Sequence, residues 1–158
     1  MTDNSHSQHV QAVDLHRFEG ADVWVEGEEH ARLRGYFPLS PGTPNASEVA
    51  GEDLMVVSME IEPGNHLPSH RDSNEELLVV TDGTVEVTVG DETVRLSSGE
   101  CAVVPEMIPH GVENVGNETA RIIGVFPDDE LTATFERPLM PFESNVVTVG
   151  KGTDPERE

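Results

Sequence analysis

The stretch Pro63 to Gly83, PGNHLPSHRDSNEELLVVTDG, collects the side chains of this sequence best suited to hold a metal ion, His70, Asp72 and Glu76, just ahead of an apolar strand. A second stretch, Gly99 to Asn114, reads GECAVVPEMIPHGVEN and delivers His110 straight after a proline, behind another apolar run. Successive strand residues point to opposite faces, so His70 and Asp72, two apart, share one. Ser73 and Asn74 then supply turn chemistry, and Glu76 opens the run that ends at Thr81-Asp82-Gly83, where Asp-Gly is a strong hairpin signal. Two imidazoles and two carboxylates converging inside a barrel suit a borderline or hard divalent cation. Imidazole accommodates Fe, Ni, Cu or Zn, and the carboxylates tilt the choice toward Fe or Mn. His70, Glu76 and His110 alone make the two-His, one-carboxylate facial triad of non-haem iron sites.

His66 lies an even number of residues from His70 and so can share its face. Four extended residues span about 13 Å, however, too far for both rings to reach one ion unless the chain folds back at Pro68. Glu75 falls on the opposite face from Glu76, and Arg71 on the opposite face from His70 and Asp72, so both are expected in solvent. Cys101 is the only cysteine, which excludes an intrachain disulfide, and inside the run ECAVVP it is expected to pack as a small apolar residue. His6 and His9, in the polar start Met1 to Gln11, are expected to sit in solvent.

The rest of the chain must position these groups. Short apolar runs recur between turn-forming residues: LMVVSMEIE (54–62), EELLVV (75–80), TVEVTVG (84–90), ETVRLS (92–97), ECAVVP (100–105), HGVEN (110–114) and ARIIGVF (120–126). Weaker candidates, VDLHRF, ADVWVEG and HARLRGYF, precede them. Ser40 to Glu52 reads as a loop, Gly90-Asp91, Ser98-Gly99 and Gly116-Asn117 as tight connections, and Asp128 to Leu131 offers at most a helical turn. This density of short strands predicts an all-β sandwich or barrel. At 158 residues one domain is expected, spanning 12–150 between a flexible tail, 1–11, and a polar tail, 151–158. Met55, Val57, Met59 and Ile61 share a face, as do Leu78 with Glu76 and Val112 with His110, so a dry pocket is expected around the site. Trp24, Tyr36 and Phe37 are candidates to cover its mouth, although aromatic residues in an N-terminal strand more often serve packing. The stretch ERPLMPFESNVVTVG, 136–150, is too apolar for a free tail, and its VVTV segment is expected to form a strand on its own barrel or a partner's, giving a homodimer.

On these residues the chain resembles the cupin superfamily, over residues 50 to 127. The first motif of that family runs Gly, five residues, His-x-His, three or four residues, Glu, six residues, Gly. Gly64, His70, Asp72, Glu76 and Gly83 fall in those places, with Asp72 where the second His stands. The second motif runs Gly, five residues, Pro-x-Gly, two residues, His, three residues, Asn, and Gly99, Pro105, His110 and Asn114 match, with Met107 in place of Gly. The resemblance implies a cupin-type jelly-roll β-barrel, the double-stranded β-helix, and a metal centre usually built from three His and one Glu. Carried onto this chain, the metal set is His70, Asp72, Glu76 and His110, made harder than the family norm by its second carboxylate. A decayed site that takes an organic ligand, or nothing, is the alternative. Similarity to the quercetinase-like dioxygenase type of cupin implies oxidoreductase chemistry on a small organic molecule, with Glu76 a ligand that can also shuttle a catalytic proton. Cupins serve many functions, so a non-catalytic small-molecule-binding module and a metal-dependent isomerase or lyase stay open.

Charge bounds the partners. The 31 acidic residues against 9 basic ones give a formal net charge of -22, which repels nucleic acid. No apolar run approaches the roughly 20 residues of a membrane span, and MTDNSHSQHVQ has neither the basic start nor the apolar core of a signal peptide, so a cytoplasmic location away from membranes is expected. Acidity spread along the whole chain is similar to that of proteins from extreme halophiles. Self-repulsion costs stability where counterions are scarce and fades as the Debye length shrinks to about 3 Å at 1 M salt. The thermal midpoint is therefore expected to rise steeply from dilute buffer to molar KCl; a flat or falling midpoint by circular dichroism would remove the halophile reading.

Overall fold

A computed structural model describes residues 10–15, 19–40 and 47–150 of the chain. Twelve strands run in chain order: β1 (Ala21–Trp24), β2 (Arg32–Tyr36), β3 (Met55–Ile61), β4 (His66–Asp72), β5 (Glu76–Asp82), β6 (Thr84–Val89), β7 (Glu92–Ser97), β8 (Cys101–Val104), β9 (His110–Asn114), β10 (Ala120–Phe126), β11 (Glu130–Leu139) and β12 (Ser144–Gly150). They form two six-stranded sheets, ordered β1-β2-β3-β10-β5-β8 and β12-β11-β4-β9-β6-β7, and every pairing is antiparallel. Among the described residues there is no helix. From β3 to β6 and again from β7 to β11 the chain changes sheet at each connection, so neighbours in sequence face each other across the core. The density of short strands and turns predicts a sandwich or barrel, and the jelly roll seen here is the form of it that the cupin resemblance implies.

Alternation explains the core. In β5 Glu76, Leu78 and Val80 point inward, and Leu77 between them is 39% exposed. Leu78, Val80, Val85, Val87, Val112, Ile122 and Ile61 from both sheets meet in one buried cluster. Each such side chain contributes about 1.5–3 kcal/mol of burial. A second, smaller cluster of Met55, Phe126, Leu131 and Val149 closes one end.

Several expectations change. Asp82-Gly83 does not make a hairpin, because β5 and β6 belong to different sheets. Gly83 has φ 84, and a Cβ on it would stand 3.0 Å from the Ala120 Cα, so the glycine serves a tight corner between sheets. The two-residue hairpin lies at Gly90-Asp91, where Val89 pairs with Glu92. Cys101 is exposed, not packed: β8 is an edge strand, and its alternation turns Ala102 and Val104 inward and Cys101 and Val103 outward. Asp128 to Leu131 holds no helical turn; β11 begins at Glu130, and its inward row of Leu131, Ala133 and Phe135 went unpredicted. The VVTV segment lies in β12, paired with β11 of its own barrel. Val13 to Leu15, the described part of VDLHRF, form no strand. The rest of that candidate, His6 and His9, residues 41–46 of the expected loop and the tail 151–158 lie outside the described residues.

Asn114 shows what the end of the second motif does for the fold. The side chain is 2% exposed, and its Nδ2 donates to the carbonyls of Ile61 and Glu118, both at 2.8 Å, while its Oδ1 accepts from the Gly116 N–H at 2.9 Å. It thereby ties the corner between β9 and β10 to β3. Asn114→Ala leaves two carbonyls and one N–H without partners, and at about 1–3 kcal/mol per orphaned group, partly recovered by water, it should cost roughly 3 kcal/mol in denaturant unfolding. Asn117→Ala, exposed in the same connection, should cost under about 0.5 kcal/mol. Equal effects of the two substitutions would contradict this role.

Candidate metal centre

The two histidines come from neighbouring strands. β4 lies beside β9 with His70 directly opposite His110, and their ring centroids are 4.2 Å apart. The pairing of β4 with β9 shifts register between Leu67 and His70, so Leu67, His70 and Asp72 all face inward although three residues separate the first two. That irregularity decides His66. Strict alternation would give it the face of His70, but it turns instead to an outer groove shared with Glu86, Thr88 and Glu113. Glu76 arrives from the facing sheet, on β5. Arg71 and Glu75 are exposed, as their parity predicts.

Backbone carbonyls fix both rings. His70 Nδ1 donates to the Pro68 carbonyl at 2.8 Å and His110 Nδ1 to that of Ile108 at 3.0 Å, which leaves each Nε2 as the lone-pair nitrogen of the neutral ring. Phe135 of β11 stacks on His70 with centroids 4.7 Å apart, holding the ring from its other side. Both Nε2 atoms face carboxylates: Asp72 Oδ2 lies 3.0 Å from His110 and 3.5 Å from His70, and Glu76 Oε1 lies 3.3 Å from His110. One ligand atom each from His70, Asp72 and His110 falls within 4.8 Å of the others, a group that could hold a metal ion. Glu76 stands at the flank of that group.

Acceptors therefore face acceptors. Asp72 Oδ2 and His110 Nε2 are buried without a hydrogen-bond partner, even though 3.0 Å separates them, because a neutral His110 has no proton to give there. Only a second proton on His110 or a cation between the groups makes the contact favourable. Burial alone would raise the Asp72 pKa, but His110 and His70 together outweigh it and hold the carboxyl down at about 2. Burial likewise disfavours a charged His110, but Asp72 and Glu76 overcome it and push the ring up to about 10. A single imidazolium still leaves one of two carboxylates uncompensated in an apolar interior, where an unpaired charge is costly. A divalent cation cancels both. The donor set thus fits a metal ion, as oxygen and imidazole donors at one buried point do for Fe or Mn.

Met107 stands where the resembled motif has glycine, and its backbone explains that glycine. Its φ is 59, and its N–H donates to the Asp72 carbonyl at 2.9 Å, fastening the connection before β9 to the strand that carries Asp72. A methionine in this left-handed conformation costs roughly 1–2 kcal/mol.

The site floors an apolar cavity of about 90 Å³. Phe37, Phe126, Phe135 and Phe142 line it, with Val57, Met59 and Leu131 among the aliphatic walls. Among the described residues, its charged or titratable lining groups are His70, Asp72 and Glu76. Of the three aromatic candidates, Phe37 lines the cavity, and Trp24 and Tyr36 are not among its lining residues. Trp24 hydrogen-bonds Glu26 and lies under Arg32, and Tyr36 donates to Glu60 at 2.8 Å on the outer face. Met55, Ile61, Leu78 and Val112 pack in the core without lining the cavity. Phe135 and Leu131 lie on β11, a strand not among those predicted, whose signal is the alternation LTATF, and Phe126 ends the run ARIIGVF on its inward row with Ile122.

Residues 57–126 match the family model described as Cupin domain. No curated protein matches the chain in sequence. Among solved structures, the polyketide cyclase RemF from Streptomyces resistomycificus aligns with a TM-score of 0.58 at 20% identity, covering 94% of this chain and 89% of that one. A mutant of Bacillus subtilis oxalate decarboxylase aligns at 0.56 and 20% identity over 71% of this chain and 29% of its own. A mutant of salicylate 1,2-dioxygenase from Pseudoaminobacter salicylatoxidans aligns at 0.50 and 16% identity, over 60% and 26% respectively, so the chain spans under a third of either enzyme. Mn(II) centres are described for the Bacillus subtilis oxalate decarboxylase. The domain match and these likenesses of fold support the cupin superfamily.

His110→Ala should abolish stoichiometric metal in protein purified from high salt, since it removes the only ligand on β9, while His66→Ala should leave the metal content unchanged. Asp72→His should shift preference toward Cu or Ni. Metal analysis of the three variants checks this, and equal loss from the two alanine variants would redraw the site.

Proposed function

We propose that the protein is a metal-dependent enzyme acting on a small, largely apolar organic molecule, of dioxygenase type. The observation that carries this reading is the buried meeting of the His70 and His110 Nε2 atoms with two carboxylates, where His70, Asp72 and Glu76 line a phenylalanine-walled cavity. His70, Asp72 and His110 would hold the ion, with Glu76 beside them. Such an ion supplies Lewis acidity toward a substrate oxygen and, if it is Fe, activation of O2.

The chain's own residues define the substrate. Among the described residues no Lys or Arg lines the cavity, so the metal centre is the group there that can pair with an anion, and the bulk of the substrate is uncharged. Phe37, Phe126 and Phe135 give it flat apolar walls and exclude water from the site. An oxygen of the substrate must turn to the floor, because His70, Asp72 and Glu76 are the polar groups there. Glu76 Oε1, free of any backbone hydrogen bond, can take up a proton from a substrate hydroxyl that approaches along that floor.

A second reading, cyclisation or isomerisation without O2, draws on the alignment with a polyketide cyclase over nearly the full length of both chains. The two differ in one requirement. Protein reconstituted with Fe(II) or Mn(II) in molar KCl, offered a panel of hydroxylated aromatic compounds, should consume O2 in step with loss of the aromatic absorbance, and should lose that turnover under argon. Turnover that persists under argon favours the cyclase or isomerase reading. Tight binding without turnover in either atmosphere leaves a binding module.

A further inference from the structure

Gly124 occupies the middle of β10, on its inward row between Ile122 and Phe126, in register with Val57 of β3 and Leu78 of β5. A glycine inside a strand gives up packing and carries an entropic cost, and it usually marks either an unusual backbone or a close approach. The backbone is not unusual: Gly124 is absent from the residues of positive φ, and β10 continues through it in regular pairing with both neighbours. The close approach is to the metal centre. A Cβ at this position would overlap Glu76 Oε2 and would stand 3.3 Å from both Glu76 Cδ and Phe126 Cε2. Gly124 therefore forms a seat for one oxygen of the Glu76 carboxylate. With Oε2 seated, Oε1 is the oxygen presented to His110 Nε2 at 3.3 Å.

We propose that Gly124 is the positioning residue of Glu76: its missing side chain sets where the second carboxylate stands against His70, Asp72 and His110, and so whether the centre presents one carboxylate or two. This rests on the metal-dependent reading above, but its geometric half does not. Filling the seat drives the carboxylate off the wall of β10 and out of its present approach to His110. The neighbouring Phe126 also lines the cavity, so the same position links the metal centre to the shape of the substrate pocket.

The test is a cycle of Gly124→Ala, Glu76→Ala and the double variant, each full-length and purified in molar KCl, read with Co(II) by titration calorimetry and visible absorption. G124A is expected to weaken Co(II) binding at least tenfold and to change the absorption spectrum of the bound ion. Added to the E76A background it should alter affinity by less than twofold, because the group it displaces is gone. The thermal midpoints of the metal-free proteins should show the same non-additivity. Unchanged Co(II) affinity and spectrum in G124A, or equal losses in both backgrounds, would overturn the proposal. If the wild-type chain binds no Co(II), the metal reading falls and the midpoint cycle alone decides the role of Gly124. If G124A does not fold, an E76A/G124A protein that melts with E76A supports the proposal, and one that also fails to fold refutes it.

Discussion

Two carboxylates placed side by side in an apolar interior are the constraint around which this barrel is arranged. Asp72 and Glu76 are 2% and 3% exposed, and among the described residues no arginine lines the cavity they floor. Two buried anions repel each other and have lost their hydration, so the positive charge that balances them must come from within the site. The surroundings are organised for that. Backbone carbonyls take the Nδ1 protons of both histidines, which leaves Nε2 lone pairs aimed at the point the carboxylates face. Phe135 fixes the His70 ring, Met107 fastens the backbone of Asp72, and Gly124 makes room for Glu76. Each arrangement forgoes something a core would otherwise gain: ring freedom, an unstrained backbone, or side-chain packing.

The jelly roll supplies the geometry at low cost. Because the chain changes sheet at successive connections, His70 and Asp72 on β4 and His110 on β9 sit centrally in one sheet, and Glu76 on β5 meets them from the other. Residues four to forty positions apart thereby meet without any long loop. The corners that make this possible depend on local chemistry, on the tight approach of Gly83 to Ala120 and on the three hydrogen bonds of the Asn114 amide.

Outside the barrel, electrostatics work on a different scale. Arg34 with Asp22, Arg95 with Glu86 and Arg137 with Glu28 form exposed ion pairs at 2.8–3.3 Å. Pairs of this kind contribute about 0–1 kcal/mol each, and nine basic residues cannot offset thirty-one acidic ones. The charge of the surface is therefore a matter for counterions, and that of the interior for one site.

The residue types of the site, their spacing and the all-β class follow from the chain alone, because these depend on local rules: alternation along a strand, turn-forming residues, and the ligand chemistry of imidazole and carboxylate. His70, Asp72, Glu76 and His110 were legible for that reason, and so were the outward positions of Arg71 and Glu75. The remaining features turn on the relation between strands. The register shift in β4 that sends His66 outside, the change of sheet that makes Asp82-Gly83 a corner, and the edge position of β8 that exposes Cys101 depend on which strand lies alongside. Pairing partners leave no trace in local periodicity. The same holds for Phe135 on His70 and for Gly124 beneath Glu76: a stacked ring and an empty seat are contacts between distant segments, and a single strand cannot announce what will be packed against it.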